Sequence, residues 1–342
     1  MAGNLTENER GVLREVLSGP GTRRDQRREF NERTGRSMDA EHFRRAIKRL
    51  PVEEEIAVDW DPSEYQTATS GDAGIQSSKI RLIVPDSHGC FASASAVKVL
   101  LDNIEILAPK EIILLGDHVD VSGLFSSHPN NYLADMEYSY ESDCAAANAF
   151  LDAIQRRAPD ASYHYLAGNH EEHYERWCAR THRSKRDAAS QVEVLAPEAK
   201  LRLKDRGIRY YRSSQTYDGL STPGLIKRGK CYFTHGFSIG KHATASHVAA
   251  IGACVVHGHT HRAQSYLTRT VASDVIGAWC PGTLSALQPL YRHNAPTEWT
   301  HGFAIQAYET SGEFLHMNIP IVGERSFLRP LLGAIRMQNL YG

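Results

Sequence analysis

No run of apolar residues in the chain approaches the ~18 needed for a helix to cross a bilayer. The opening stretch "MAGNLTENERGVLREVL" carries no apolar signal-peptide core, so export is not expected and a cytoplasmic location, bacterial or host, is. There is no Cys-x-x-Cys pair. The six cysteines, Cys90, Cys144, Cys178, Cys231, Cys254 and Cys280, are scattered, which excludes a zinc ribbon or disulfide scaffold and fits a reducing compartment. Charge of one sign is not in excess either: 39 Lys and Arg face 40 Asp and Glu, for a net charge of −1. The chain as a whole is therefore no polyanion binder. Internal repeats and low-complexity tracts are absent.

What is present is an ordinary globular composition, 41% hydrophobic and 23% charged, over 342 residues. That length suggests about two domains. Histidine stands out: there are 17, several of them beside glycine at the ends of apolar runs.

Residues 1–50 read as a small all-α module. Val12, Leu13, Val16 and Leu17 share a helix face, with Thr6 and Glu9 at capping-box spacing. "SMDAEHFRRAIKRL" repeats the period with Phe43, Ala46, Ile47 and Leu50. The arginine-rich "TRRDQRREFNERTG" between them ends on a helix-stopping glycine. Twelve Lys and Arg against eight Asp and Glu give this module +4, which leaves −5 for the remainder. Two readings stay open: a helix-turn-helix that binds DNA, or a helical bundle with solvated arginines. Residues 51–78, acidic and then rich in Ser, Thr and Gly, read as a linker.

From residue 79 to 342 a second domain is expected. "KIRLIV", "EIILLGD", "ASYHYLAGN", "KCYFTHG" and "CVVHGHTH" read as strands, and most alternate with helical stretches. This alternation implies a layered α/β fold with an open sheet. The final strands, such as "AQSYLTRT" and "FAIQAYET", lack helices between them and are expected to be antiparallel.

Five strand ends carry related residues: Asp86-x-His88, Gly116-Asp117-x-x-Asp120, Gly168-Asn169-His170-Glu171, His235-Gly236, and Gly258-His259-x-His261. Ligands in open α/β sheets bind beyond the carboxyl ends of the strands, so all five clusters point to one rim. Each alone has a bland explanation in turn chemistry or a satisfied core histidine. Together, in one order and each closing an apolar run, they indicate a metal site. Carboxylate, imidazole and amide donors suit Mn, Fe, Zn or Ni better than Ca or Mg.

This motif set resembles that of the calcineurin-like metallophosphoesterases over about residues 79–320. The resemblance implies a four-layer α/β/β/α sandwich in which β-sheets are flanked by helices, and two divalent ions, manganese first among the candidates. One ion would be held by Asp86, His88, Asp117 and His261. The other would be held by Asp117, Asn169, His235 and His259, with Asp117 shared. A hydroxide between two such ions is a nucleophile near neutral pH and would attack phosphorus in line. By the same resemblance His170 looks like the general acid, held by Asp120, while Asn169 and His170 touch substrate. His118 and His257 lie inside the motifs and read as supporting residues.

One departure narrows the substrate. The Ser/Thr protein phosphatase branch has Arg-Gly after the second Asp of Gly-Asp-x-x-Asp, whereas Val121-Ser122 follows Asp120 here. The expected activity is hydrolysis of phosphodiesters, with DNA, RNA or nucleotides as substrates. A phosphomonoesterase of nucleotides or small metabolites is the alternative enzyme, and a DNA-binding protein with a non-catalytic scaffold is the alternative of another class. The segment 124–143 and the segment 180–211 are longer than minimal connectors and are expected to wall the site. Within the latter, His182, Arg183, Lys185 and Arg186 form a basic cluster that could grip a polyanion.

Overall fold

The computed structural model describes residues 5–48, 50, 79–121, 138–271, 273–289 and 296–331. The expected linker at 51–78 lies outside them, as does most of the expected wall at 124–143. The chain divides into two compact units, Met1–Gly74 and Ile75–Gly342.

The first unit holds α1 (Glu7–Ser18), α2 (Arg23–Thr34) and α3 (Ala40–Lys48). The Thr6/Glu9 capping box forms as expected. A second box, Thr22 with Asp25, starts α2, and Gly35 ends that helix at φ 67°. Leu13, Val16, Phe30 and Phe43 make its core. The Glu9 carboxylate also pairs with Arg36, Nε to Oε1 at 2.5 Å.

The second unit begins with β1 (Lys79–Val84), a 3-10 turn at Gly89–Phe91, α4 (Ala94–Leu107), β2 (Glu111–Leu114), α5 (Tyr140–Arg157) and β3 (Ser162–Leu166). Next come α6 (Asn169–Thr181), α7 (Lys185–Leu195), α8 (Pro197–Lys200), β4 (Ile208–Tyr211), β5 (Ile226–Arg228) and β6 (Cys231–Thr234). The chain continues through α9 (Ala243–Ile251), β7 (Cys254–His257), β8 (Ala263–Thr270), β9 (Ser273–Pro281), β10 (Gly302–Tyr308) and β11 (Phe314–Pro320).

The strands form two sheets rather than one, in the orders β11-β10-β1-β2-β3-β4 and β5-β6-β7-β9-β8. Strands β1 to β4 run parallel to one another, as do β6 and β7. As expected, β8, β10 and β11 pair antiparallel, but β9 also lies parallel to β7.

Alternation along the strands sets the layers. Leu82, Val84, Ile112 and Leu114 point to the helix side and pack with residues of α4, α5 and α6. Ile83, Ile113 and Leu115 point the other way and meet Phe233 and Val256 of the second sheet. On that sheet's far face, Val255, Ile276 and Ala278 pack against Val248 of α9. Burial on both faces explains why β1 and β2 read as continuous apolar runs. The result is the α/β/β/α sandwich expected for a metallophosphoesterase.

At the amino ends of the parallel strands the space between the sheets holds charge. Glu111 pairs with Arg81 at 2.5 Å, Arg228 at 3.0 Å and His164 at 3.2 Å. Gln306 accepts a further bond from Arg81 at 2.7 Å. Burying these charges is tolerable only because they are paired.

Candidate metal centre

All the clusters singled out in the sequence sit at the carboxyl ends of β1, β2, β3, β6 and β7. The turns there are unusual. His88, Asp117, His259 and His261 have φ of 53°, 52°, 69° and 57°, a region costly for residues with a Cβ. Two glycines are required by close approach. A Cβ on Gly168 would stand 2.0 Å from Asp117 Oδ1, and one on Gly258 would stand 2.5 Å from Asp86 Oδ1.

Two groups of donors converge. In the first, His88 Nε2 lies 3.1 Å from His261 Nε2, which lies 3.2 Å from Asp86 Oδ2. In the second, His235 Nε2 lies 3.2 Å from Asp117 Oδ2, 3.1 Å from Asn169 Oδ1 and 3.1 Å from His259 Nδ1. Asp117 takes part in a further group with His88 and His170, so it stands between the two. His88, His261, Asp86, Asp117 and His235 are buried, all at 5% exposure or less.

The donor set fits cations. The Leu115 carbonyl can only accept, so it takes the Nδ1–H of His235 at 2.9 Å and turns Nε2 toward Asp117 Oδ2, Asn169 Oδ1 and His259 Nδ1. Asp120 Oδ1 likewise fixes His88 through Nδ1 at 3.0 Å. His261 Nδ1 is buried without a hydrogen-bond partner. Lone pairs gathered in this way need a positive charge among them, and oriented imidazoles are how proteins present it with ligands.

The electrostatics agree. Burial disfavours protonated His88, but the Asp120 hydrogen bond and the Asp117 and Asp86 charges overcome it and raise its pKa to about 9. His235, against Asp117, reaches about 10 despite its burial. Burial opposes ionisation of Asp86 and Asp117 too, yet neighbouring histidines hold both well below the usual carboxylate range. Burial and the charge of His235 push His259 down to about 4.

Two carboxylates that sequence reasoning left without a role hold the turns in place. Glu171 accepts from the backbone N–H of Asp117 at 2.9 Å, His118 at 2.8 Å and Gly168 at 2.8 Å, and from the Tyr165 hydroxyl at 2.6 Å. Asp143 accepts from the N–H of Cys90 at 3.1 Å, Asp120 at 2.8 Å and Val121 at 3.1 Å, and from the Tyr138 hydroxyl at 2.7 Å. Glu171 could have been found, since it stands three residues after Gly168 at the start of α6, at capping-box spacing. Asp143 gives no local signal. His118 meets Ser87 Oγ at 2.9 Å and His257 meets Thr244 Oγ1 at 3.1 Å, and burial drives both histidines to about 3.

His170 and Asp120 are adjacent, but not quite as expected. His170 Nδ1 makes a short hydrogen bond to the backbone carbonyl of Asp120, whose carboxylate Oδ1 is 3.6 Å away. That carboxylate serves His88 instead. His170 Nε2 lies 3.9 Å from Asp117 Oδ2. The basic cluster falls elsewhere: α6 runs from Asn169 to Thr181, about 18 Å at 1.5 Å per residue. His182 to Arg186 therefore sit a helix length from Asn169.

The chain belongs to the calcineurin-like phosphoesterase family, which residues 81–263 match. Among solved structures, a single mutant of Vps29 from Entamoeba histolytica is 13% identical, with 72% of this chain and 95% of that one covered and a TM-score of 0.36. Yfce, a phosphoesterase from E. coli, is 15% identical, with 70% and 98% covered and a TM-score of 0.31. Nuclease MPE of Pseudomonas putida is 12% identical, with 69% and 87% covered and a TM-score of 0.26. No curated protein matches. Among the described residues, no helix is long and apolar enough to cross a membrane.

Proposed function

We propose that the chain hydrolyses phosphodiesters with two divalent cations, and that nucleic acid or nucleotides supply the substrate. The carrying observation is the convergence of two donor groups on Asp117. In this reading Asp86, His88, Asp117 and His261 hold one ion, while Asp117, Asn169, His235 and His259 hold the other. Manganese is the first candidate, with Fe, Zn or Ni also suited to these donors. Bound there, the pair supplies charge that stabilises the attacking and leaving oxygens of an in-line displacement.

The chain's own groups do the rest. Asp117 contributes the shared negative charge, and Glu171 fixes the backbone that aims it. His170 donates a proton to the leaving oxygen from Nε2, since its Nδ1–H is taken by the Asp120 carbonyl. Asn169, at the start of α6, offers its amide to the phosphate.

A diester is favoured over a monoester by a shortage of arginine at the rim among the described residues. A monoester carries one more negative charge, and Val121 stands where the protein phosphatases place an arginine. Arg262, directly after His261, is engaged with the Ile239 and Gly240 carbonyls and with Glu298. For a polymer, the N-terminal unit offers a cleft with an apolar floor of Ala40, Phe43 and Ile47, rimmed by Arg23, Arg24, Arg27, Arg44 and Lys48, cations suited to phosphate contacts.

The test compares a bis-aryl with a mono-aryl phosphate under added Mn²⁺, with bound metal counted by elemental analysis. Two ions per chain and faster diester cleavage are expected. Absence of bound metal would overturn the site, and monoester preference would overturn the substrate class.

A further inference from the structure

One flank of the rim differs from the rest. Around the clustered acids and histidines, Phe237 is 56% exposed and Ile239 is 71% exposed, both on the turn that follows His235-Gly236. Trp299, partly exposed, packs its ring against His261 at a centroid distance of 4.1 Å and an interplanar angle of 71°. Single exposed apolar side chains are common. These, however, belong to segments fastened together beside the donors.

The fastening is specific. Arg262 Nη2 donates to the carbonyls of Ile239 at 2.9 Å and Gly240 at 2.7 Å, while Nη1 pairs with Glu298 at 3.2 Å. The amide of Thr300 donates to the His261 carbonyl at 2.9 Å. The amide of Phe237 donates to His247 Nε2 at 3.0 Å, and its ring leans on that imidazole at 4.2 Å. One guanidinium thus ties the Phe237 turn and the Trp299 segment to the turn that carries His259 and His261.

We propose that Trp299 and Phe237 form a stacking wall beside the metal centre that takes the planar base of a nucleotide whose phosphate lies on the donors. The inference rests on the phosphoesterase reading and deepens it, from phosphodiesters at large to nucleoside esters. Aromatic faces accept any base, so the wall selects for a base without selecting its sequence. An aryl or base group there also shields both rings from water, which gives exposed Phe237 a use.

The experiment titrates AMP and ribose 5-phosphate, which share a phosphate and sugar and differ in the base. Each is measured calorimetrically against Mn²⁺-loaded full-length protein, with metal content recorded. Stacking contributes about 1–3 kcal/mol per base, so the wild type should bind AMP roughly 5- to 160-fold tighter than ribose 5-phosphate. Trp299→Ala should collapse this ratio towards one, Phe237→Ala should lower it, and Trp299→Phe should keep part of it. A wild-type ratio near one with both ions bound overturns the wall while leaving the phosphoesterase reading standing. A ratio unmoved in both alanine variants does the same. A protein that binds neither metal nor phosphate ester overturns both.

Discussion

Glu171→Gln tests whether one buried carboxylate shapes the metal centre from behind. The side chain accepts four hydrogen bonds, two at each oxygen: Oε2 from the amides of Asp117 and Gly168, Oε1 from the amide of His118 and the Tyr165 hydroxyl. Glutamine replaces one oxygen with an NH₂ group. If that group faces the His118 side, the Tyr165 hydroxyl can rotate to accept, but the His118 amide loses its partner. If it faces the other side, two amides lose theirs. The milder arrangement orphans one buried N–H, at about 1–3 kcal/mol, and weakens the remaining bonds by removing their charge. A total of about 2–4 kcal/mol follows, which lowers Tm by roughly 5–15 °C for a domain of this size. Asp117, held at φ 52°, then loses part of what offsets its strain, and metal affinity should fall roughly 10- to 100-fold. Thermal unfolding and metal titration measure both effects, with Tyr165→Phe as the lesser perturbation, which should cost about 1 kcal/mol. Wild-type Tm and metal affinity in Glu171→Gln would refute the reasoning.

Three further perturbations separate roles. His170→Ala should retain both ions and slow turnover about 10²- to 10⁴-fold on esters with poor leaving groups, with a smaller defect on activated aryl esters; equal slowing together with metal loss would make His170 a ligand, as its grouping with His88 and Asp117 allows. Asp120→Asn should act mainly through His88, whose Nδ1 its carboxylate fixes, so metal affinity should drop while the leaving-group dependence stays near wild type; the reverse pattern would show that the carboxylate serves His170. Glu111 is opposed by burial, yet His164 and Arg81 lower its pKa to about 2. Its stabilising contribution is therefore complete above the unfolded value near 4.5 and lost as pH falls through about 2. Urea unfolding across this window should show a shallower pH dependence in Glu111→Gln, and an unchanged slope would contradict the assignment.

The legible and illegible parts of this molecule divide along physical lines. Local signals carried the capping box at Thr6, the helix starting at Asn169, and the buried strands β1 and β2, because period and turn chemistry are written in neighbouring residues. The rim was legible because every donor pair closes a strand. The antiparallel side of the first sheet was harder to see from alternation alone, since β10 joins β1 across more than 200 residues and nothing near Lys79 marks its partner. Asp143 lies in the first turn of α5, where an acidic residue is ordinary, and becomes a turn-holding group only through tertiary contact. Trp299 sits in a polar stretch whose relation to His261 depends on the Arg262 tether.

The turn at Asp86 has one more property, and it concerns time. Its carbonyl accepts from Leu284 N–H at 2.8 Å and Thr283 Oγ1 at 2.9 Å, while β1 needs β10 as its neighbour. The earliest donors to leave the ribosome are thus fixed by residues synthesised some 200 positions later. Long-range pairings of this sort close late in folding. A nascent or truncated chain that ends before Thr283 holds every proposed donor yet lacks both partners of the Asp86 carbonyl and the strand beside β1. The aim of Asp86 is therefore set by pairings that close late in folding, however early Asp86 itself is made.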